Sequence, residues 1–179
     1  MVIPEILIKA LKLYGDKEAL ICGDRRFTYR DLEKRVNALS NFLRAKGIGK
    51  DGKVAILHPN CHYFMEAYFA VAQIGATSVP INYRLSPREM AFILDNSEST
   101  VLAAEREFAH TVASALEEGG QGVRTVLWTG DGVLPQLQVE VMDYEQAMGR
   151  YPIIPPENVD IGEDDIAQIY YTSGTTGRP

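Results

Sequence analysis

Hydroxyls and glycines alternate in TSGTTG, residues 172–177, directly behind the apolar run IAQIYY. Thr172, Ser173, Thr175 and Thr176 offer four hydroxyls, each able to donate and to accept a hydrogen bond. Gly174 and Gly177 allow positive φ and close approach of backbone to a ligand. Successive backbone N–H groups in such a loop converge on an anion. A polyphosphate fits this chemistry, with hydroxyl oxygens available to a hydrated Mg²⁺, and Arg178 adds positive charge beside it. The spacing differs from the common phosphate loops. GxxxxGK[ST] fails because Gly174 and Gly177 stand too close and no lysine follows, and GxGxxG fails both here and at Gly119-Gly120-Gln121-Gly122. On the residues alone, a flexible polar tail stays equally open.

Other chemically able residues read more plainly. His58, His62 and His110 are the only histidines. His58 and His62 stand four apart, but Pro59 and Asn60 break the helical geometry a two-histidine metal site needs. A surface or capping role is expected for them, even with Cys61 alongside. No acidic partner in sequence context makes a nucleophile–base triad of Ser78, Ser86 or Ser173. Tyr63, Phe64, Tyr68 and Phe69 recur at helical spacing and read as core rather than a ligand-stacking set. Asn82, Tyr83 and Arg84 follow a strand end, where doubly wound sheets carry ligand loops. A turn held by Asn82, with Arg84 paired to Glu89 or Asp95, is the simpler expectation. Asp160, Glu163, Asp164 and Asp165 read as a solvated acidic stretch.

Strands and helices must position these groups, and the pattern supplies them in alternation. Residues 5–14 carry Ile6, Leu7, Ala10, Leu11 and Tyr14 at helical spacing. ALICGDRRFTY predicts a hairpin around Gly23-Asp24. Thr28 caps a helix running to Lys46, with Leu32, Val36, Leu39 and Leu43 as its stripe and Gly47 and Gly49 ending it. KVAILH is a strand, 61–74 a helix apolar almost all round, and TSVPI the next strand. Ser86, Pro87 and Glu89 make a capping box with proline in the first helical position. TVLAA, a helix over 105–118, and RTVLWTG complete the regular part. Beyond Gly130 the signal weakens: Asp143 caps a short helix to Gly149, YPIIPPENVDIGEDD is a connector, and IAQIYY is a last strand. Strands that are continuous apolar blocks between helices predict an α/β fold, mostly parallel, with helices on both faces.

The 179 residues carry a formal net charge of −6, with 46% apolar and 23% charged residues, as in ordinary globular chains. Scattered lysines and arginines argue against a nucleic-acid surface. Two cysteines, Cys22 and Cys61, lack CxxC spacing and fit core filling in a reduced, cytoplasmic compartment. No signal peptide and no membrane-spanning run of about 20 apolar residues is visible.

The segment IYYTSGTTGRP resembles the signature loop of the AMP-forming adenylating enzymes: acyl-CoA synthetases, luciferases and peptide-synthetase adenylation domains. The family's motif continues with a lysine after the proline, which this sequence does not include. VAILHPNCHYFMEAYFAVAQIGATSVPINYRLSPREMAFILDNSEST is similar to the family's preceding block, and FTYRDLEKRVNALSNFLRAKGIGKDGKVAIL to its opening. NYRLSP looks closer to fatty and aromatic acyl-CoA ligases. The resemblance implies a partial N-terminal AMP-binding domain over 1–179, with 130–165 a weakly defined connector and the sheet incomplete. It implies that Thr172, Ser173, Gly174, Thr175, Thr176 and Gly177 close over ATP phosphates, Thr175 and Thr176 contacting the β- and γ-phosphates. It implies ATP, Mg²⁺ and coenzyme A as cofactors, and a carboxylic acid, first a fatty acid, as substrate. A carrier-protein thiol acceptor, or a non-catalytic truncated module, is the alternative. No catalytic or metal-binding residue matches here. Ordering a six-residue loop held at one end costs on the order of 6–12 kcal/mol, so this length of chain alone is expected to bind ATP weakly and to be inactive. An unfinished apolar face would promote self-association.

Overall fold

In a computed structural model that describes residues 2–172, the strand blocks of the sequence join into one sheet. Strands β3 (Lys53–Leu57), β4 (Thr77–Pro80), β5 (Val101–Glu105), β6 (Thr125–Thr129) and β7 (Glu140–Asp143) pair in parallel, in the spatial order β4-β3-β5-β6-β7. A two-stranded hairpin, β1 (Glu18–Cys22) and β2 (Arg25–Thr28), stands apart from it. Successive side chains of a strand point to opposite faces, and both faces are buried. Val54 and Ile56 of β3, with Val101 and Leu127, face α1 (Ile3–Tyr14), α2 (Tyr29–Ala45), α3 (His62–Gln73) and α6 (Tyr144–Met148). Ala55 and Leu57, with Leu102, Ala104, Val126 and Trp128, face α4 (Pro87–Asn96) and α5 (Ala109–Glu118).

Local chemistry sets the element ends. Thr28 and Asp31 form a complete capping box on α2, as do Ser86 and Glu89 on α4. Gly47 and Gly75 take φ of 80° and 69° after α2 and α3, where the chain reverses through paired i+3 and i+5 backbone bonds such as Ala76 N–H to Val71 O at 3.1 Å. Helices α3 and α5 leave the adjacent strands β3 and β5 on opposite faces, so the carboxyl ends of those two strands flank a topological switch point.

Differences from the sequence reading are local. The predicted helix over 105–118 begins as a 3₁₀ turn, Arg106–Phe108, before α5 proper. Strand β7 lies inside the stretch read as connector. The IAQIYY segment makes a single parallel bridge, Gln168 to Ser78, rather than a full strand. Among the described residues no helix is long and apolar enough to cross a membrane.

Candidate functional site

The chain reaches Thr172, the first residue of the hydroxyl–glycine stretch, along the free side of β4. Ser78 N–H donates to Ala167 O at 3.0 Å and Ile169 N–H donates to Ser78 O at 3.0 Å, while Thr77 Oγ1 donates to Ile166 O at 2.9 Å. Because this pairing is parallel, the segment runs toward the carboxyl ends of the sheet strands, where ligands of open α/β sheets bind. Ile169 and Tyr171 turn onto the core shared with α4, whereas Tyr170 is 64% exposed. Thr172 is exposed at the end of this segment. Ser173, Gly174, Thr175, Thr176 and Gly177 lie outside the described residues.

At the switch point itself, the side chains that follow β3 are packed together. His58 and His62 are buried, not on the surface as expected from sequence. His58 Nε2 is 3.1 Å from Thr129 Oγ1, and its Nδ1 is 3.6 Å from Cys61 Sγ. Burial, with His62 nearby, pushes the His58 imidazole down to about 4. Burial also pushes the Cys61 thiol up. A neutral imidazole beside a protonated thiol is not an activated nucleophile. Among the described residues no group of three or more His, Cys, Asp or Glu side chains is placed to hold a metal ion.

The remaining candidates take structural places. Ser86 caps α4, and Ser78 bonds the 166–169 segment. Asn82 Oδ1 accepts from Arg84 N–H at 3.0 Å, closing the expected turn. The expected ion pair is not formed: Glu89 is taken by Ser86, Asp95 Oδ1 by Gln121 N–H, and the Arg84 guanidinium lies over the Tyr83 ring. Tyr63, Phe64 and Phe69 pack against the core cluster of α2 and α3. Asp165 of the acidic stretch pairs with Lys50 at 2.8 Å, and Lys50 also donates to Asp160 O.

Sequence reasoning did not find the ionic network around Glu66, whose side chain is wholly buried. Arg35 Nε donates to Glu66 Oε1 at 2.6 Å, and its two terminal nitrogens reach both oxygens of Glu145 at 2.8 and 3.0 Å. Tyr144 Oη donates to Glu66 Oε2 at 2.6 Å. Burial raises the Glu66 carboxyl while Arg35 and Tyr144 pull it back down. Its partners are 31 and 78 residues distant, so no local spacing could announce it.

A parallel sheet wrapped by helices on both faces, with an edge segment that runs toward the carboxyl ends of the strands, defines a doubly wound α/β domain. The chain belongs to the AMP-binding enzyme family, whose sequence profile matches residues 8–179. It is 32% identical over 167 residues to a 3-hydroxybenzoate–CoA/4-hydroxybenzoate–CoA ligase of Thauera aromatica, covering 92% of this chain and 31% of that protein. It is 35% identical over 172 residues to a crotonobetaine/carnitine–CoA ligase of Escherichia coli, covering 93% of this chain and 33% of that protein. An anthranilate CoA ligase solved with anthranoyl-AMP superposes with a TM-score of 0.91 at 26% identity, over 100% of this chain and 33% of the other. A Mycobacterium tuberculosis fatty acyl CoA synthetase superposes with a TM-score of 0.82 at 27% identity, over 96% and 32%. The chain thus spans about a third of the length of the curated relatives it matches.

Proposed function

We propose that this chain forms the first part of the nucleotide-binding domain of an ATP-dependent acid–CoA ligase. In this reaction a carboxylate oxygen of the acid attacks the α-phosphorus of ATP and pyrophosphate leaves. The thiol of coenzyme A then attacks the acyl carbon of the mixed anhydride, losing its proton as AMP departs. Charge develops on phosphate and acyl oxygens in both steps, so catalysis depends on donors positioned in advance.

The observation that carries this reading is the edge segment. It is anchored on β4 by two backbone bonds and aimed along the strand direction into TSGTTG, in a chain whose family match covers that loop. Thr172, Ser173, Gly174, Thr175, Thr176 and Gly177 take the ATP phosphates. Mg²⁺ would accompany the nucleotide and neutralise phosphate charge. The described residues form no ligand cluster for it, and none is assigned. A fatty acid is the first acid to test, because NYRLSP resembles the fatty and aromatic branch and a fatty acyl CoA synthetase shares the fold. The chain's own length, without the rest of a ligase, is inactive in this reading.

The test is pyrophosphate release by the full-length protein with ATP, Mg²⁺ and a panel of acids: long-chain fatty, hydroxybenzoic, anthranilic and betaine-type. Release should depend on one acid class, and coenzyme A should convert the bound adenylate into acyl-CoA and AMP. Thr175→Val with Thr176→Val should lower turnover about 100-fold. Full turnover in that double variant would overturn the reading.

A further inference from the structure

Tyr171, the residue just before the loop, is held by a side chain 75 positions away. Its Oη donates to Asn96 Oδ1 at 2.7 Å. The edge of the same contact is aromatic: the Phe92 and Tyr171 rings meet at 86° with centroids 6.5 Å apart. Phe92 and Asn96 are four residues apart on α4, hence on one face of the helix. Together they grip the phenol at its ring and at its tip. We propose that this pair on α4 is a positioning cradle which fixes where the 172–177 loop begins, and so raises the protein's affinity for the ATP polyphosphate. The proposal rests on the reading of that loop given above.

The contacts come in a sequence that gives the cradle its importance. Backbone pairing with β4 stops at Ile169, whose N–H donates to Ser78 O. Tyr170 is 64% exposed and turns away from the α4 core. Among the described residues, the hydrogen bond to Asn96 is the last anchor before Thr172. Without it, the backbone of residues 170–172 must be ordered when the ligand arrives, and that ordering entropy is subtracted from binding.

The cradle is itself well founded. Met90, Ile93 and Leu94 of α4 are each 1% exposed or less, and the Ser86–Glu89 capping box fixes the helix start. Asn96 is an exposed residue in the last turn, so its amide is not needed by the core. A tether of this kind acts on binding of one ligand. It should raise KM for ATP without altering kcat, the signature of lost uniform binding.

The experiment measures steady-state kinetics of the full-length protein with three substrates varied in turn. Tyr171→Phe, which removes one oxygen, and Asn96→Leu, which removes the acceptor, should each raise KM for ATP about fivefold to tenfold. The KM values for acid and coenzyme A, and kcat, should stay within about twofold. Asn96→Asp keeps an acceptor oxygen and should return KM for ATP to near wild type. The double variant Tyr171→Phe/Asn96→Leu should be no worse than either single one. An unchanged KM for ATP in Tyr171→Phe would overturn the cradle, as would equal increases in all three KM values, which a merely structural tether produces. Tyr171→Phe is small enough to fold even if Asn96→Leu does not. The Thr175→Val/Thr176→Val protein separates the two readings. If it retains normal ATP kinetics, the loop assignment and the cradle fall together. If it loses them while Tyr171→Phe keeps the wild-type KM, the cradle alone falls.

Discussion

Glu66 of α3 and Arg35 of α2 meet at 2.6 Å, with the carboxylate side chain wholly buried. The same guanidinium forks onto Glu145 of α6, and Tyr144 closes the far side of Glu66. Three of the four helices on one face of the sheet are therefore tied through one charge. An apolar face would hold them together without orienting them. The fork allows one arrangement of α2, α3 and α6, because each nitrogen has its own oxygen.

Removing the guanidinium should expose what the pair conceals. Arg35→Met leaves Glu66 buried with only the Tyr144 hydroxyl, and an uncompensated buried charge of this kind costs about 3 kcal/mol. At roughly 2–4 °C per kcal/mol for a domain of this size, the melting temperature should fall by about 6–12 °C. Replacing both partners, with Arg35→Met and Glu66→Leu, should cost less than Arg35→Met alone. Thermal unfolding of the three proteins checks this. A double variant less stable than the single one would show that the charge is compensated some other way.

The buried histidine predicts how stability responds to acid. His58 is held near 4 in the folded protein, against about 6.5 when unfolded. Between those values the unfolded chain binds a proton that the folded one excludes. Stability therefore falls as pH drops below about 6.5 and levels off near pH 4, by about 3 kcal/mol in all. His62, also lowered by burial and by the charges of Arg25 and Arg35, acts with the same sign. Urea unfolding from pH 7 to pH 4 on the wild type and on His58→Gln isolates the His58 share. The variant should be less stable at pH 7 yet show a shallower loss. Parallel pH curves for the two proteins would rule His58 out as the source.

A third expectation concerns α4. Ser86 Oγ accepts from Glu89 N–H, and Glu89 reaches back to Ser86 N–H at 2.8 Å, so both halves of the cap are made. Ser86→Ala should cost about 1 kcal/mol and lower the melting temperature by about 2–4 °C. Calorimetric scans of the two proteins would register the difference. An unchanged midpoint would mean that water replaces the cap without loss.

The α4 cap was legible because a capping box is written in four consecutive residues, and the same holds for Thr28 on α2. The sheet was legible where apolar blocks declare it, as in KVAIL and TVLWT. Strand β7 was not, since EVMD offers two apolar residues between two acids. Its pairing is secured by distant groups: Glu140 accepts from Thr125 Oγ1 at 2.8 Å and from Lys46 Nζ at 2.6 Å. IAQIYY shows the opposite failure. It has strand-like residues, but a single bridge to Ser78 is what the fold gives it. At the candidate site, the hydroxyl–glycine pattern is visible in one short string. The bond from Tyr171, the residue before that string, to Asn96 is not, because 75 residues separate the two partners.

The end of α4 carries a residue that the local geometry disfavours. Glu98 has φ of 57°, a left-handed conformation that costs an L residue with a Cβ about 1–2 kcal/mol. The turn is built as at Gly75: Glu98 N–H donates to Asp95 O at 3.1 Å and Ser99 N–H donates to Leu94 O at 3.2 Å. Glycine is the residue this position calls for. Its weak pair with Lys53, at 3.9 Å on an exposed side chain, contributes little. Glu98→Gly relieves the strain but loosens the unfolded chain, which offsets about 0.4–1 kcal/mol. The net gain should be about 0.5–1 kcal/mol, or a melting temperature higher by about 1–4 °C. Glu98→Ala, which keeps the Cβ and loses the charge, should show no such gain. Equal effects of the two substitutions would place the cause in the charge of Glu98 and not in its backbone.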